Sequence, residues 1–188
     1  MITLDDIRAA RHRMGTAVLV SPCAFSHMLS EELGARLFFK LENLQLTGSF
    51  KERGACNKLS ALGAQAQEHG VIAASAGNHA QGVAYHARRL GISATIVMPR
   101  STPLIKLTST ESLGAELILF GRSYDEAHAE AKRLAGDTGK ILVHPFDDPL
   151  VIAGQGTIGL ELLHQVPNLE AVVVSVGGGG LAAGIATA

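Results

Sequence analysis

The 188-residue sequence is poor in charge and in cysteine. Charged residues make up 18% of it, 16 Lys+Arg against 17 Asp+Glu, for a formal net charge of −1. A chain so near neutrality offers no electrostatic footprint for a phosphate backbone, which excludes a general nucleic-acid binder. The two cysteines, Cys23 and Cys56, stand far apart with no CxxC pair and no histidine at ligand spacing. That excludes a disulfide scaffold and a zinc finger. HExxH is absent, and His79 and His86, seven residues apart, have no third ligand at metal spacing, so no metal site is expected. The N-terminus, MITLDDIRAARHRM, has no apolar run and carries acids early, unlike a signal peptide. One stretch, Ala171 to Ala188, is free of charge. Gly177 to Gly180 interrupt it where a membrane helix would need its strongest helix formers. A strand, a glycine turn and a helix start read better, and the expectation is a cytoplasmic chain with no membrane partner.

What the sequence does hold is apolar residues, 47% of the total, and 21 glycines. This composition excludes a disordered chain. Strands are expected at Leu37–Leu41, Val71–Ala74, Ala94–Met98, Glu116–Phe120, Ile141–Val143 and Val172–Val176, with helices at Asn78–Leu90, Ser123–Ala135 and Val151–Gln165. Gly70, Gly91, Gly114 and Gly139 mark returns from helix to strand. Ser123 with Glu126 reads as a capping box, and Asp147-Asp148 before Pro149 reads as a helix cap. Almost wholly apolar strands such as AVVVSV predict burial on both faces, which is the pattern of a parallel sheet covered by helices. The fold class is α/β, and ligands in such folds sit at the carboxyl ends of the strands.

Three strand ends stand out. In KLENLQLTGSFKERGA a turn at Thr47-Gly48 enters a helix at Ser49-Phe50-Lys51. A lysine at the positive end of a helix dipole is biased towards its neutral, nucleophilic amine. In VIAASAGNHAQGVA the cluster Ser75-Ala76-Gly77-Asn78 opens a helix whose first amides suit a carboxylate or a phenolate. In VVVSVGGGGLAAG four glycines bare their backbone N–H groups at a helix start, as a phosphate cradle requires. The dinucleotide pattern Gly178, Gly180, Ala183 is a weaker reading of that loop, because the expected acidic residue about 20 positions on would fall after Ala188. An amine, a carboxylate nest and a phosphate cradle together suit pyridoxal phosphate and an amino-acid substrate.

These segments, with MPRSTPLIKL, LGAELILFG and FDDPLVIAGQGTIGLE, resemble the threonine/serine dehydratase (threonine ammonia-lyase) group of the fold-type II pyridoxal-phosphate enzymes, from about Leu4 onwards. The resemblance implies a tryptophan synthase β-like α/β fold, with parallel sheets flanked by helices in two domains. The larger would take residues 1–66 and 152–188 and the smaller 67–151, with the active site between them. It implies pyridoxal 5'-phosphate as cofactor, with Lys51 as Schiff-base lysine and acid/base at Cα. Phe50 would lie against the ring, and Asn78 would bond its phenolic oxygen. Ser75, Gly77 and His79 would hold the substrate carboxylate. Gly177, Gly178, Gly179, Gly180 and Leu181 would cradle the phosphate. The implied reaction is β-elimination from L-threonine to 2-oxobutanoate and ammonia, and from L-serine to pyruvate. A homo-oligomer, dimer or tetramer, is the expected assembly.

Serine racemases resemble the chain too, but carry a second serine where Ala76 stands, which weakens that alternative. A non-catalytic fragment is the other alternative, because members of the family continue well past residue 188 and the chain reads as C-terminally truncated.

Overall fold

The computed structural model describes all residues, 1–188. The chain opens with α1 (Leu4–Met14), the short strand β1 (Cys23–Phe25), α2 (His27–Leu33) and β2 (Phe38–Lys40). A 3-10 turn at Glu42–Leu44 leads to α3 (Lys51–Leu62) and α4 (Ala64–His69). Strands and helices then alternate: β3 (Val71–Ala74), α5 (Asn78–Leu90), β4 (Ala94–Met98), α6 (Leu104–Ser112), β5 (Glu116–Leu119), α7 (Tyr124–Thr138) and β6 (Ile141–Leu142). Two helices finish the chain, α8 (Pro149–Gln165) and α9 (Gly180–Thr187).

Strands β3 to β6 form one parallel sheet in the order β5-β4-β3-β6. Side chains alternate across its faces, as the two-residue strand period demands. Val71, Ala73, Ile96 and Met98 pack with Ala80, Val83, Ala84 and Ala87 of α5. Ile72, Ala74 and Val97 pack with Ala127 and Ala131 of α7 on the other face. Both faces are thus covered, and β3 and β4 are buried along their whole length. At roughly 25 cal/mol per Å² of apolar surface, each such Val or Ile contributes about 1.5–3 kcal/mol.

The second body is helical: α1, α3 and α8 pack on one another, α9 packs on α8, and α3 also packs on α5. α3 and α8 approach backbone to backbone, because a Cβ on Gly154 would lie 2.7 Å from the Arg53 carbonyl oxygen. Arg53 is wholly buried between them. Its guanidinium donates to both oxygens of Glu42 and both of Glu161, and to Thr157 Oγ1 and the Leu19 carbonyl. Lys40 Nζ joins this network through Glu161. Two cations and two carboxylates balance in charge, the condition under which buried ions are tolerated.

Three expectations need correction. Residues 172–176 form no strand: Val173 is fully exposed (99%) and Val176 largely so (69%). A strand exists only through a ladder partner, and this stretch pairs neither with the parallel sheet nor with the one other sheet, the antiparallel pair β1–β2 joined through α2. The Leu37–Leu41 run belongs to that antiparallel pair and not to a parallel sheet. At α7, Ser123 Oγ accepts from the Glu126 N–H, but the Glu126 carboxylate turns to the Arg122 N–H, 2.6 Å away, so only half a capping box forms. The Asp148 cap on α8 forms as expected, accepting from the Leu150 and Val151 amides.

Candidate active site

The turn Thr47-Gly48-Ser49 delivers Lys51 as the first residue of α3, with its N–H donating to Ser49 Oγ at 3.3 Å. Gly48 has φ +74°, which lets the chain reverse there without strain. Lys51 Nζ donates to the Pro145 carbonyl oxygen at 2.6 Å and stands 5.4 Å from the centre of the Phe50 ring. Burial pushes its ammonium below the ordinary lysine range. The helix dipole gave the right direction from sequence, but desolvation is the cause.

Phe50 and Lys51 share a cleft of about 130 Å³ with Gly177, Gly178, Gly179, Gly180 and Leu181, floored by Pro145, Phe146 and Gln155. The structure therefore joins the first and third loops across more than a hundred residues of sequence. Each glycine of the third loop has its own reason. A Cβ on Gly178 would collide with the Phe146 ring, and one on Gly180 would meet the Phe146 carbonyl oxygen at 2.6 Å. Gly179 has φ +85° and caps α9. Gly177 has no such constraint: a Cβ there would meet nothing within 4 Å and its φ is ordinary. Its bareness leaves room for a group from outside, at the N-terminus of a helix whose first amides have no partners in the helix. The donor set therefore fits a phosphate at one end of the cleft and an aldehyde-reactive amine, Lys51, at the other.

Ser75, Gly77, Asn78 and His79 do not line that cleft. They form the β3–α5 turn beside it, close enough for the Lys51 charge to act on His79. Ser75 Oγ accepts from the Gly77 N–H at 3.1 Å, which holds the turn. Gly77 again has nothing within 4 Å of a Cβ, Asn78 is exposed, and α5 starts without a side-chain cap. These are the features of an open anion nest. The His79 imidazole packs inward, its Nε2 donating to the Val143 carbonyl at 3.1 Å while Nδ1 is buried without a partner. Burial pushes it down to about 4, so it is neutral. Its backbone N–H, not its ring, is the group available to a ligand.

Sequence reasoning did not single out Pro145, Phe146 or Gln155. Phe146 shapes the glycine loop, and Gln155 Oε1 accepts from the Gly54 N–H at 3.2 Å, bracing α3 from α8. The only signal for Phe146 and Gln155 was their presence in the FDDPLVIAGQGTIGLE segment, and Pro145 lies just before it.

Comparison with known proteins agrees with this geometry. Residues 15–188 match the family described as pyridoxal-phosphate dependent enzyme. The whole chain is 54% identical to an L-threonine ammonia-lyase of Thermotoga maritima, of which it covers 47%. It is 49% identical to the catabolic L-threonine dehydratase TdcB of Staphylococcus aureus, of which it covers 55%. The chain thus spans about half the length of the curated relatives it matches. Among solved structures, threonine deaminase isoform 2 of Solanum lycopersicum superposes with a TM-score of 0.92 at 45% identity, over 98% of this chain and 53% of that one. Maize serine racemase gives 0.95 at 39% identity, over 99% and 56%. With the lysine and the glycine cradle in one cleft, and a family match running from residue 15 to the last, the chain belongs to the fold-type II pyridoxal-phosphate-dependent enzymes.

Proposed function

We propose that this chain carries the catalytic core of an L-threonine ammonia-lyase, which converts threonine to 2-oxobutanoate and ammonia and also accepts serine. The observation that carries the reading is the cleft shared by Lys51 and Gly177–Gly180, on a chain 54% identical to a protein of that name. When bound, pyridoxal phosphate supplies an aldehyde for the amine and an electron sink for the carbanion formed at Cα.

The protein's own groups divide the remaining work. The amides of Gly177 to Gly180 and Leu181 would bind the phosphate at the start of α9. Phe50 would pack against the ring, and Asn78 would hydrogen-bond its phenolic oxygen. Ser75 and the amides of Gly77 and His79 hold the substrate carboxylate, which fixes the Cα–H bond towards Lys51. Lys51 Nζ takes that proton, because burial favours its neutral form. Threonine and serine differ by one methyl, worth only about 1–3 kcal/mol of selectivity in an apolar pocket, so both react. The serine racemase fold is equally close, but Ala76 offers no group to exchange a proton from the opposite side.

The test is 2-oxo acid release from threonine and from serine with pyridoxal phosphate present. Turnover by the native chain, with none by K51A of unchanged circular dichroism, is expected. Cofactor binding without 2-oxo acid from either substrate contradicts the assignment.

A further inference from the structure

Glu52 follows Lys51 and is the one acidic residue in the first turn of α3. Such a side chain ordinarily faces water near the helix dipole. Here it is 2% exposed and turned backwards, out of its own helix. Its Oε2 accepts from both the backbone N–H (2.7 Å) and the Oγ1 (2.9 Å) of Thr47. Thr47 begins the turn that presents Phe50 and Lys51, and it is buried itself. The other carboxylate oxygen, Oε1, faces His86 Nε2 of α5 at 4.0 Å. His86 Nδ1 accepts from Arg89 Nε at 3.1 Å, so Nε2 carries the hydrogen, which has no hydrogen-bond partner. His86 is wholly buried, and Glu52 is the one acidic group the structure places beside that N–H.

We propose that Glu52 is the positioning residue for Lys51, a carboxylate clamp that binds the Thr47 turn on one side and is backed by His86 on the other. This deepens the reading above, in which Lys51 is the reacting amine. Backbone bonds also hold the turn, from the Gly48 N–H to the Gln45 carbonyl at 2.8 Å and from the Glu52 N–H to the Ser49 carbonyl at 3.3 Å, but the Glu52 carboxylate is the one acceptor the structure gives either Thr47 donor, and α3 starts without a side-chain cap. Both Thr47 donors are buried, so removing the carboxylate leaves two unpaired groups that reach water only if the turn opens. An opened turn would carry Lys51 out of its buried position at Pro145. The lysine would then regain the properties of an exposed one.

The experiment reads Lys51 without cofactor. Formaldehyde with an amine–borane methylates every lysine, and peptide mapping across a pH series gives a midpoint for each. In the native chain the Lys51 midpoint lies below that of exposed Lys132. E52A raises the Lys51 midpoint by about one pH unit, towards Lys132. E52Q, whose amide oxygen still accepts from Thr47, leaves it near the native value. An unmoved midpoint in folded E52A overturns the proposal, and so does an E52Q that behaves like E52A. If E52A does not fold, T47V removes one of the two donors and is expected to raise the midpoint by a smaller amount; no rise overturns the clamp. Pyridoxal phosphate and borohydride added to unmethylated portions of the same preparations separate the two readings. Failure to label Lys51 in the native chain, with the E52A shift present, refutes the assigned function and leaves the clamp standing.

Discussion

Gly177 and Gly178 are neighbours with opposite reasons for being glycine, which makes an alanine at each a sharp test of the cradle. At Gly178 the new Cβ lands on the Phe146 ring, so Phe146 or the loop must move. Forced overpacking of this kind costs about 1–3 kcal/mol. In a chain of this size that lowers Tm by some 2–4 °C per kcal/mol. At Gly177 the new Cβ meets nothing within 4 Å, and φ is ordinary. The cofactor-free chain should therefore lose no stability, and restricting the unfolded state stabilises it by up to about 1 kcal/mol. The methyl instead occupies the space assigned to the phosphate, so affinity for pyridoxal phosphate should fall at least tenfold, or about 1.4 kcal/mol. Urea unfolding without cofactor and absorbance titration with it give the two quantities separately. The expected pattern is G178A destabilised, and G177A as stable as the native chain but weak in binding. A G177A chain of native affinity would refute the placement of the phosphate.

Two further outcomes follow from buried charge and from buried neutrality. Burial pushes His79 down to about 4, and burial with the Arg89 charge pushes His86 down to about 3, from an ordinary value of 6.5. Both folded values lie below the unfolded one, so this stability is fully present above about pH 6.5 and drains away as pH falls towards 4. The slope is about 1.4 kcal/mol per pH unit for each histidine, and urea midpoints across that range should flatten by about half in H86Q. R53M removes the one residue that binds both Glu42 and Glu161. Glu161 keeps its pair with Lys40, but Glu42 is left without an ion-pair partner, which should cost about 3–5 kcal/mol, with part of the loss recovered by adding E42Q, as read by denaturant unfolding.

The parallel sheet was legible because its signals are local. The apolar positions Ala80, Val83, Ala84 and Ala87, ended by left-handed Gly91, fix α5 at the expected Asn78–Leu90. β3 and β4 likewise coincide with the expected runs. Val172–Val176 failed because strand identity lies in a partner, and apolar letters alone cannot show whether one is present. β1, three residues of CAF, is too short to carry a period and exists through pairing with β2. Within the site, the four glycines and the lysine turn stood out as unusual residues at strand ends. Phe146 did not, since its contact with Gly178 spans 32 positions and depends on the packing of α8 against α9. Glu52 was equally silent: the same letter in the same helical turn usually means a solvated acid.

Lys51 is the amine proposed to meet the cofactor in this cleft. Borohydride reduction of the chain with pyridoxal phosphate, followed by peptide mapping, tests it most directly. A stable pyridoxyl group on Lys51, at one equivalent per chain, is expected, with protection of that lysine when threonine is added first. Label spread over exposed lysines such as Lys132, with Lys51 unmodified in a folded chain, would contradict it.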